Sequence, residues 1–231
     1  MNQLLNTLKT NDFTLLVSLP RNDVRLAEAA LRGGAQGLKV HLNVEHFASG
    51  TRFGTLAEER ESLARMVEVA QAARVPVGVV AGAGGAFTSE DEFAQLAAMG
   101  IDFFDAYPFD APPWTLTQRH LDVMLAAYAG GTSEIMRQLE RAGMTMCEAS
   151  IMPHEEYGRD LSALDIARYR ELTNVLETAP VIVPSQKKIA PRDVPALQGA
   201  GVKALLIGAI VTGREPESIE VATRAFRQAL V

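Results

Sequence analysis

The stretch VIVPSQKKIAPRDVPALQGAGVKALLIGAIVTG, residues 181–213, decides the fold. Two apolar runs, VIV and ALLIGAI, are predicted to form buried strands because they are short and rich in branched residues. The segment between them is predicted to be helical, with Pro191 at its first turn and Gly199-Ala200-Gly201 at its end. Two parallel strands this close, each followed by a loop, indicate the strand–helix–strand unit that closes many (β/α)8 barrels. A doubly wound sheet contains the same unit, so the number of strands decides between the two folds.

Six further strands are predicted before this unit, in alternation with helices. They cover residues 13–19, 37–43, 75–82, 101–107, 121–128 and 144–150. The run at 121–128 also fits a helix, and the proline-rich segment 108–120 leaves the fourth helix short or missing. Strands that alternate with helices form a parallel sheet, and eight of them predict a single-domain α/β TIM barrel over residues 1–231. Apolar residues at helical spacing predict a helix within residues 1–12 that caps the barrel floor.

The composition predicts a globular protein with one large core, because 48% of the 231 residues are apolar and 22% are charged. The N-terminal residues lack a signal-peptide core and no apolar run approaches ~18 residues, which predicts a cytoplasmic protein without a membrane segment. A net charge of −6 argues against nucleic acid as a partner, since binding to phosphate backbones needs a basic surface. The single cysteine, Cys147, excludes an internal disulfide. Apolar residues on the outer helices hint at a homodimer.

Alternate residues along a barrel strand face the interior, and three predicted strands place charged residues on that face. Lys39 lies on the second strand, Asp105 on the fourth and Glu148 on the sixth. Because interior layers take side chains from alternate strands, we expect these three to share a layer near the C-terminal mouth, where active sites of this fold lie. The layer above is expected to contain His41, Tyr107 and Ser150.

These buried charges allow two interpretations, since a charge inside a barrel is costly unless it is paired. One is an ion-pair network that only fixes the register of the strands. The other is catalysis, with Lys39 as a base, a Schiff-base former or an electrostatic clamp on an enolate, and Glu148 as the partner acid or base. Asp105 would orient Lys39 or hold a hydroxyl group or a metal ion. His41 would act in catalysis or through a hydrogen bond to a neighbouring side chain.

The C-terminal segment KIAPRDVPALQGAGVKALLIGAIVTG, residues 188–213, resembles the end of the phosphate-binding barrels of the ribulose-phosphate-binding superfamily. That superfamily includes N-acylmannosamine-6-phosphate 2-epimerase and indole-3-glycerol-phosphate synthase. The resemblance implies that backbone N–H groups after the seventh and eighth strands hold a substrate phosphate, here near Ser185, Gly208 and Ala209. The family usually has Gly-Gly after the seventh strand, where this chain has Ser185-Gln186-Lys187-Lys188. The Ser185 hydroxyl or the Lys187 ammonium would then replace backbone contacts.

These observations together predict an enzyme that acts on a small phosphorylated carbohydrate-like substrate by proton abstraction next to a carbonyl, as in epimerisation, isomerisation or aldol cleavage. Lys39 and Glu148 would exchange the proton, Asp105 would orient them, and no cofactor or metal would take part. One alternative is a lyase that uses Mg²⁺ or Mn²⁺ bound by Asp105, Glu148 and His41. The other is a barrel that binds a ligand without turnover.

Overall fold

A computed structural model describes residues 3–230 and contains a closed barrel of eight parallel strands. The strands are β1 (Thr14–Ser18), β2 (Gly37–His41), β3 (Val77–Val80), β4 (Phe103–Ala106), β5 (Asp122–Tyr128), β6 (Met146–Ser150), β7 (Val181–Pro184) and β8 (Ala204–Ile207). Each strand pairs with its neighbours in chain order, and β8 returns to pair with β1. This closure confirms the predicted TIM barrel and excludes an open, doubly wound sheet.

Helices surround the barrel and follow the strands in the expected alternation. They are α1 (Gln3–Thr10), α2 (Val24–Gly33), α3 (Leu56–Ala72), α4 (Glu90–Met99), α5 (Ser133–Ala142), α6 (Ala163–Val175), α7 (Val194–Gly199), α8 (Ala209–Thr212) and α9 (Pro216–Gln228). Between β4 and β5 the described chain forms only a 3-10 helix of 4 residues, Pro113–Leu116. The helix that follows the fourth strand is therefore short, as predicted. Within residues 3–230 no helix combines the length and apolar character that crossing a bilayer requires.

Local signals in the sequence explain where the helices begin and end. Ser89 caps α4 in the predicted capping box, because its hydroxyl accepts from Glu92 N while the Glu92 carboxylate accepts from Ser89 N. Gly100 ends the same helix with a φ of 107°, a left-handed conformation that glycine adopts without steric cost. Thr55 and Glu58 form a second capping box at the start of α3. These caps fix where α3 and α4 begin and where α4 ends.

The run at 121–128, whose sequence fits either a strand or a helix, forms the strand β5. Its residues pair in parallel with both neighbours, Phe103 of β4 opposite Asp122 and Ala149 of β6 opposite Ala127. Both faces of β5 are covered, one by the barrel interior and one by the outer helices, so apolar residues occupy both faces and no period is visible in the sequence. Long-range pairing therefore decides the structure of this segment.

The helix α1 closes the N-terminal end of the barrel. Its Leu4 and Leu8 are fully buried and belong to a separate interior cluster. The strand residues of that cluster are Leu16, Phe103, Met124, Met146, Ile182, Ala204 and Leu206. Asp102 holds the start of the helix, since its carboxylate accepts from Leu4 N at 2.8 Å and from Gln3 N at 3.1 Å. The floor is thus filled with apolar side chains, and polar chemistry is confined to the opposite end.

Two short hairpins extend the loops at that opposite, C-terminal end. Val44–His46 pairs with Thr51–Phe53 in the long loop after β2. Gly82–Ala83 pairs with Ala86–Phe87 in the glycine-rich loop after β3. Both hairpins stand beside the mouth of the barrel and contribute residues to the cavity described below.

Candidate active site

A charged triad occupies the centre of the barrel near its C-terminal mouth. Lys39 Nζ on β2 lies 2.7 Å from Asp105 Oδ2 on β4 and also contacts Glu148 Oε2 on β6. All three residues are at most 5% exposed. The structure therefore brings together, in one layer, the three charged residues that the alternation of the even-numbered strands places on the interior face.

A second polar layer lies above the triad. Ser150 Oγ donates to Glu148 Oε1 at 2.8 Å, and the Tyr107 side chain interacts with Ser150. The Tyr107 hydroxyl also interacts with that of Tyr157, which accepts from Gln186 Nε2 at 2.5 Å. Tyr157 and Gln186 were not predicted as site residues. Polar contacts thus run continuously from Glu148 to the loop after β7.

The triad carries fewer positive than negative charges when both carboxyls are ionised, and this imbalance sets the protonation states. Burial alone would lower the pKa of Lys39, but the carboxylates of Asp105 and Glu148 outweigh it and raise that pKa. Burial and the neighbouring Glu148 carboxylate raise the pKa of Asp105 to about 7. Burial opposes ionisation of Glu148 as well, but Lys39 and hydrogen bonds, including the one from Ser150, lower its pKa. At neutral pH the lysine is therefore a cation and Glu148 an anion, and Asp105 is the carboxyl of the triad whose ionisation is disfavoured.

His41 lies above Lys39 on β2, at the wall of the cavity, and is fully buried. Its ring is 4.6 Å from that of Phe53 and 4.5 Å from that of His46, both of the hairpin after β2. Neither ring nitrogen has a hydrogen-bond partner among the described residues. Burial, together with His46 and Lys39, holds the pKa of His41 well below its usual value, so the imidazole is neutral. In this geometry the neutral His41 ring packs against the rings of His46 and Phe53.

Of the four predicted phosphate-binding residues, three line the cavity. They are Ser185, Gly208 and Ala209. Gly208 N donates to Ser185 Oγ at 2.8 Å, which joins the loops after β7 and β8.

Lys187 is the exception, and this corrects its predicted place. Its ammonium lies 2.6 Å from Glu156 Oε2 and 3.6 Å from Asp165 Oδ2, and the residue is only 4% exposed. The backbone turn after β7 directs Gln186 toward Tyr157, and it directs Lys187 toward Glu156 of the loop after β6 and Asp165 of α6, whose carboxylates pair with the ammonium. Lys187 therefore ties the loop after β6 to the loop after β7 instead of reaching a ligand.

The cavity above the triad has a volume of about 560 Å³ and is formed by the loops at the C-terminal ends of the strands. Besides the triad and the polar layer, which includes the predicted Tyr107, its wall contains aromatic side chains that the sequence pattern did not assign to the site. They are Phe47, Phe109, Tyr128, His154 and Tyr157. A usable signal was present, because Tyr128 is the last residue of β5 and the other four follow the end of a barrel strand by only a few residues. The glycine-rich loop also borders the cavity, and Gly84 N donates to Asp110 Oδ1 at 3.0 Å.

The side chains of the site do not form a metal-ion site. Within residues 3–230 no group of three or more His, Cys, Asp or Glu side chains has a geometry that could hold one. The Lys39 ammonium takes the position between Asp105 and Glu148 that a divalent cation would need. His41 contributes no further ligand to that position, since its ring packs against Phe53.

Comparison with known proteins supports the fold and leaves the activity open. No family model matches this chain, and no curated protein matches it. Thiamine phosphate pyrophosphorylase from Pyrococcus furiosus is similar in structure, with a TM-score of 0.69 and 15% identity over 95% of this chain and 96% of that chain. Mycobacterium tuberculosis tryptophan synthase has a TM-score of 0.70 and 16% identity, over 98% of this chain and 96% of that chain. Native KDPGal has a TM-score of 0.64 and 16% identity, over 93% of each chain. Identities this low show the barrel fold alone, which is consistent with the resemblance to phosphate-binding barrels.

Proposed function

We propose that this protein is an enzyme that moves a proton at the carbon next to a carbonyl group of a small substrate, as an epimerase, isomerase or aldolase does. One observation carries the proposal. A lysine ammonium is buried between two carboxyls at the base of an open cavity, and one of those carboxyls titrates near neutral pH. A general base whose pKa lies near the working pH combines the correct ionisation state with proton-transfer strength.

In this proposal Asp105 takes the proton. Its Oδ1 has no hydrogen-bond partner among the described residues, and the residue lines the cavity. The electron pair of the broken C–H bond moves onto the carbonyl, which becomes an enolate. In a substrate with a hydroxyl on the carbon that loses the proton, Asp105 then returns the proton to the former carbonyl carbon, while the hydroxyl proton passes to the enolate oxygen. The hydroxyl carbon becomes the new carbonyl, so that substrate and product are isomers and no other reactant is consumed.

Lys39 stabilises the enolate oxygen. An ammonium has three N–H donors, and the two carboxyls of the triad use two of them, which leaves one for a ligand in the cavity. A raised pKa argues against Lys39 as a base or Schiff-base former, because both roles need a neutral amine. Glu148 stays ionised and compensates the lysine charge. In this proposal Asp105 exchanges the proton, in place of the predicted exchange by Lys39 and Glu148.

The substrate is proposed to carry an anionic group, such as a phosphate, at the β7–β8 side of the cavity. Ser185, Gly208 and Ala209 border the cavity there, and the resemblance of residues 188–213 to phosphate-binding barrels supports this placement. Lys187 takes no part. A divalent-metal lyase is the weaker alternative, since Lys39 lies where the ion would bind.

The test is proton exchange in D₂O, followed by NMR. Ribulose 5-phosphate, fructose 6-phosphate and dihydroxyacetone phosphate are each compared with the dephosphorylated form. We expect deuterium to enter next to the carbonyl of at least one phosphorylated compound. Asp105→Asn and Lys39→Met should each slow that exchange by ~100-fold or more.

Lys188→Met is the matched control, because Lys188 is exposed and lies outside the cavity. It should leave the exchange rate unchanged. Exchange that survives both Asp105→Asn and Lys39→Met would refute the proposed roles, and no exchange with any member of the panel would favour a ligand-binding barrel without turnover. Loss of exchange on addition of EDTA would favour the metal-dependent alternative.

A further inference from the structure

Aromatic rings from the loops after β2, β4 and β6 and from the last residue of β5 meet around the mouth of the cavity. We name this group the aromatic belt; it consists of Phe47, His154, Tyr157, Tyr107, Phe109 and Tyr128. On one side Phe47 stacks on His154, with ring centroids 4.1 Å apart and an interplanar angle of 5°. Tyr157 meets Phe47 edge-on at 5.4 Å.

The belt continues on the opposite side of the mouth. The Tyr157 and Tyr107 hydroxyl groups interact, and the Tyr107 ring stacks on Phe109 at 5.1 Å and 8°. Phe109 in turn meets Tyr128 edge-on at 5.3 Å. The rings therefore form one connected surface along the mouth rather than scattered apolar residues.

Two rings of the belt remain largely in contact with solvent. Phe47 is 60% exposed and Phe109 is 67% exposed, although both border the cavity. The hydroxyls of Tyr107 and Tyr157 are occupied by each other and by Ser150 and Gln186. The belt thus offers ring faces to a ligand but few free hydrogen-bonding groups. Solvent-exposed aromatic faces bind other planar apolar groups through offset or edge-to-face contacts.

We propose that the belt binds an aromatic ring of the substrate, so that the substrate class is a carbonyl compound that carries an aryl group in addition to its anionic group. This inference rests on the proposed function, because it places the carbonyl at Lys39. Tyr107 follows Asp105 by two residues along the chain, a separation of about 7 Å in an extended strand. A short linker therefore joins a ring against the belt to a carbonyl at the triad.

Binding of phenylpyruvate and of pyruvate, measured by isothermal titration calorimetry, tests this inference. The two probes share the 2-keto acid and differ in the ring alone. Phenylpyruvate should bind the wild-type protein at least ~10-fold more tightly. Phe109→Leu and Phe47→Leu keep an apolar side chain but remove the ring, and each should weaken phenylpyruvate binding by ~3- to 10-fold without an effect on pyruvate.

Leu164→Ala is the control, since Leu164 is also 60% exposed but lies on α6 away from the cavity. It should change neither affinity. Equal binding of the two probes, no binding of phenylpyruvate, or unchanged binding in both Phe→Leu variants would overturn the inference. Tighter binding of fructose 6-phosphate that both Phe→Leu variants weaken would overturn it as well, because the belt would then bind a sugar.

The outcomes separate this inference from the proposed function, because calorimetry needs no turnover. Ring-dependent binding of phenylpyruvate without deuterium exchange on any carbonyl compound would keep the aryl site and reject the proton-transfer function. Deuterium exchange on sugar phosphates with rates that Phe109→Leu does not change would keep the function and reject the aryl site.

Discussion

Replacing Lys39 by methionine measures how much the lysine charge contributes to the free energy of unfolding by compensating the two buried carboxyls. The substitution keeps an unbranched side chain of similar length but removes the charge that contacts Asp105 Oδ2 at 2.7 Å and Glu148 Oε2. Both carboxyls stay buried, at 3% and 5% exposure, without compensation. Removing one partner of a buried ion pair costs roughly 3–5 kcal/mol of unfolding free energy.

The sign of the pH dependence follows from burial. Without Lys39, burial raises the folded-state pKa of both carboxyls above the unfolded values, so the folded state binds more protons than the unfolded state. Such groups contribute stability below the unfolded pKa, and the contribution is lost as the pH rises through the folded pKa. The deficit of Lys39→Met should therefore be larger at pH 8 than at pH 5.

Urea unfolding at the two pH values, followed by circular dichroism and by the fluorescence of Trp114, gives these free energies. Lys188→Met is the control for the loss of an exposed lysine charge. The double variant Lys39→Met/Glu148→Gln should recover part of the loss, because it leaves only one buried carboxyl uncompensated. A deficit below about 1 kcal/mol at pH 8, or an equal deficit at both pH values, would refute this account of the triad.

Three further predictions concern the same fold. The pKa of Asp105 is about 7 in the folded protein, against an ordinary value of 3.8, so the stability that this group contributes is lost as the pH rises from about 4 to 7. Asp105→Asn should therefore make the urea midpoint less dependent on pH over that range, and an unchanged pH dependence would contradict the assignment. Lys187→Met should speed amide hydrogen exchange in the loop after β6 but not in the strands. Loop amides that stay protected in the variant would show that the Lys187–Glu156 ion pair does not stabilise the loop. Gly78→Ala would place a methyl 2.1 Å from the buried Phe103 ring and should cost at least about 2 kcal/mol, whereas Gly199→Ala, which meets no atom within 4 Å, should cost less than about 0.5 kcal/mol.

The sequence predicts the barrel well because the signals for it are local and repeated. The capping box at Ser89 and the left-handed Gly100 bracket α4 without reference to any other part of the chain. The run 122–128 carries no such signal, since apolar residues cover both faces of β5, and only pairing with β4 and β6 makes it a strand. Secondary structure that depends on distant partners is the part that local patterns do not predict.

The same distinction applies to the candidate site. The period of a strand is fixed by backbone geometry, so alternation predicts that Lys39, Asp105 and Glu148 meet inside the barrel. Loop backbones have no period. For that reason Lys187, whose partner Glu156 lies 31 residues earlier in another loop, was predicted in the wrong place. Of the aromatic belt, strand alternation predicted only Tyr107, because the contacts among the other rings depend on the loops. The protonation of the triad was not predicted either, because it depends on distances among three strands.

The anchoring of α1 has a consequence for the order in which the protein assembles. Leu4 N and its acceptor on Asp102 are separated by 98 residues, and the cluster that receives Leu4 and Leu8 includes side chains as late in the chain as Leu206. During translation α1 is made before all of these partners, and the last of them lie in β8. Its two leucines lack part of their binding cluster until β8 is available. At the floor of the barrel, α1 therefore completes its packing only after β8 is made, and a chaperone that binds apolar segments has that interval to reach it.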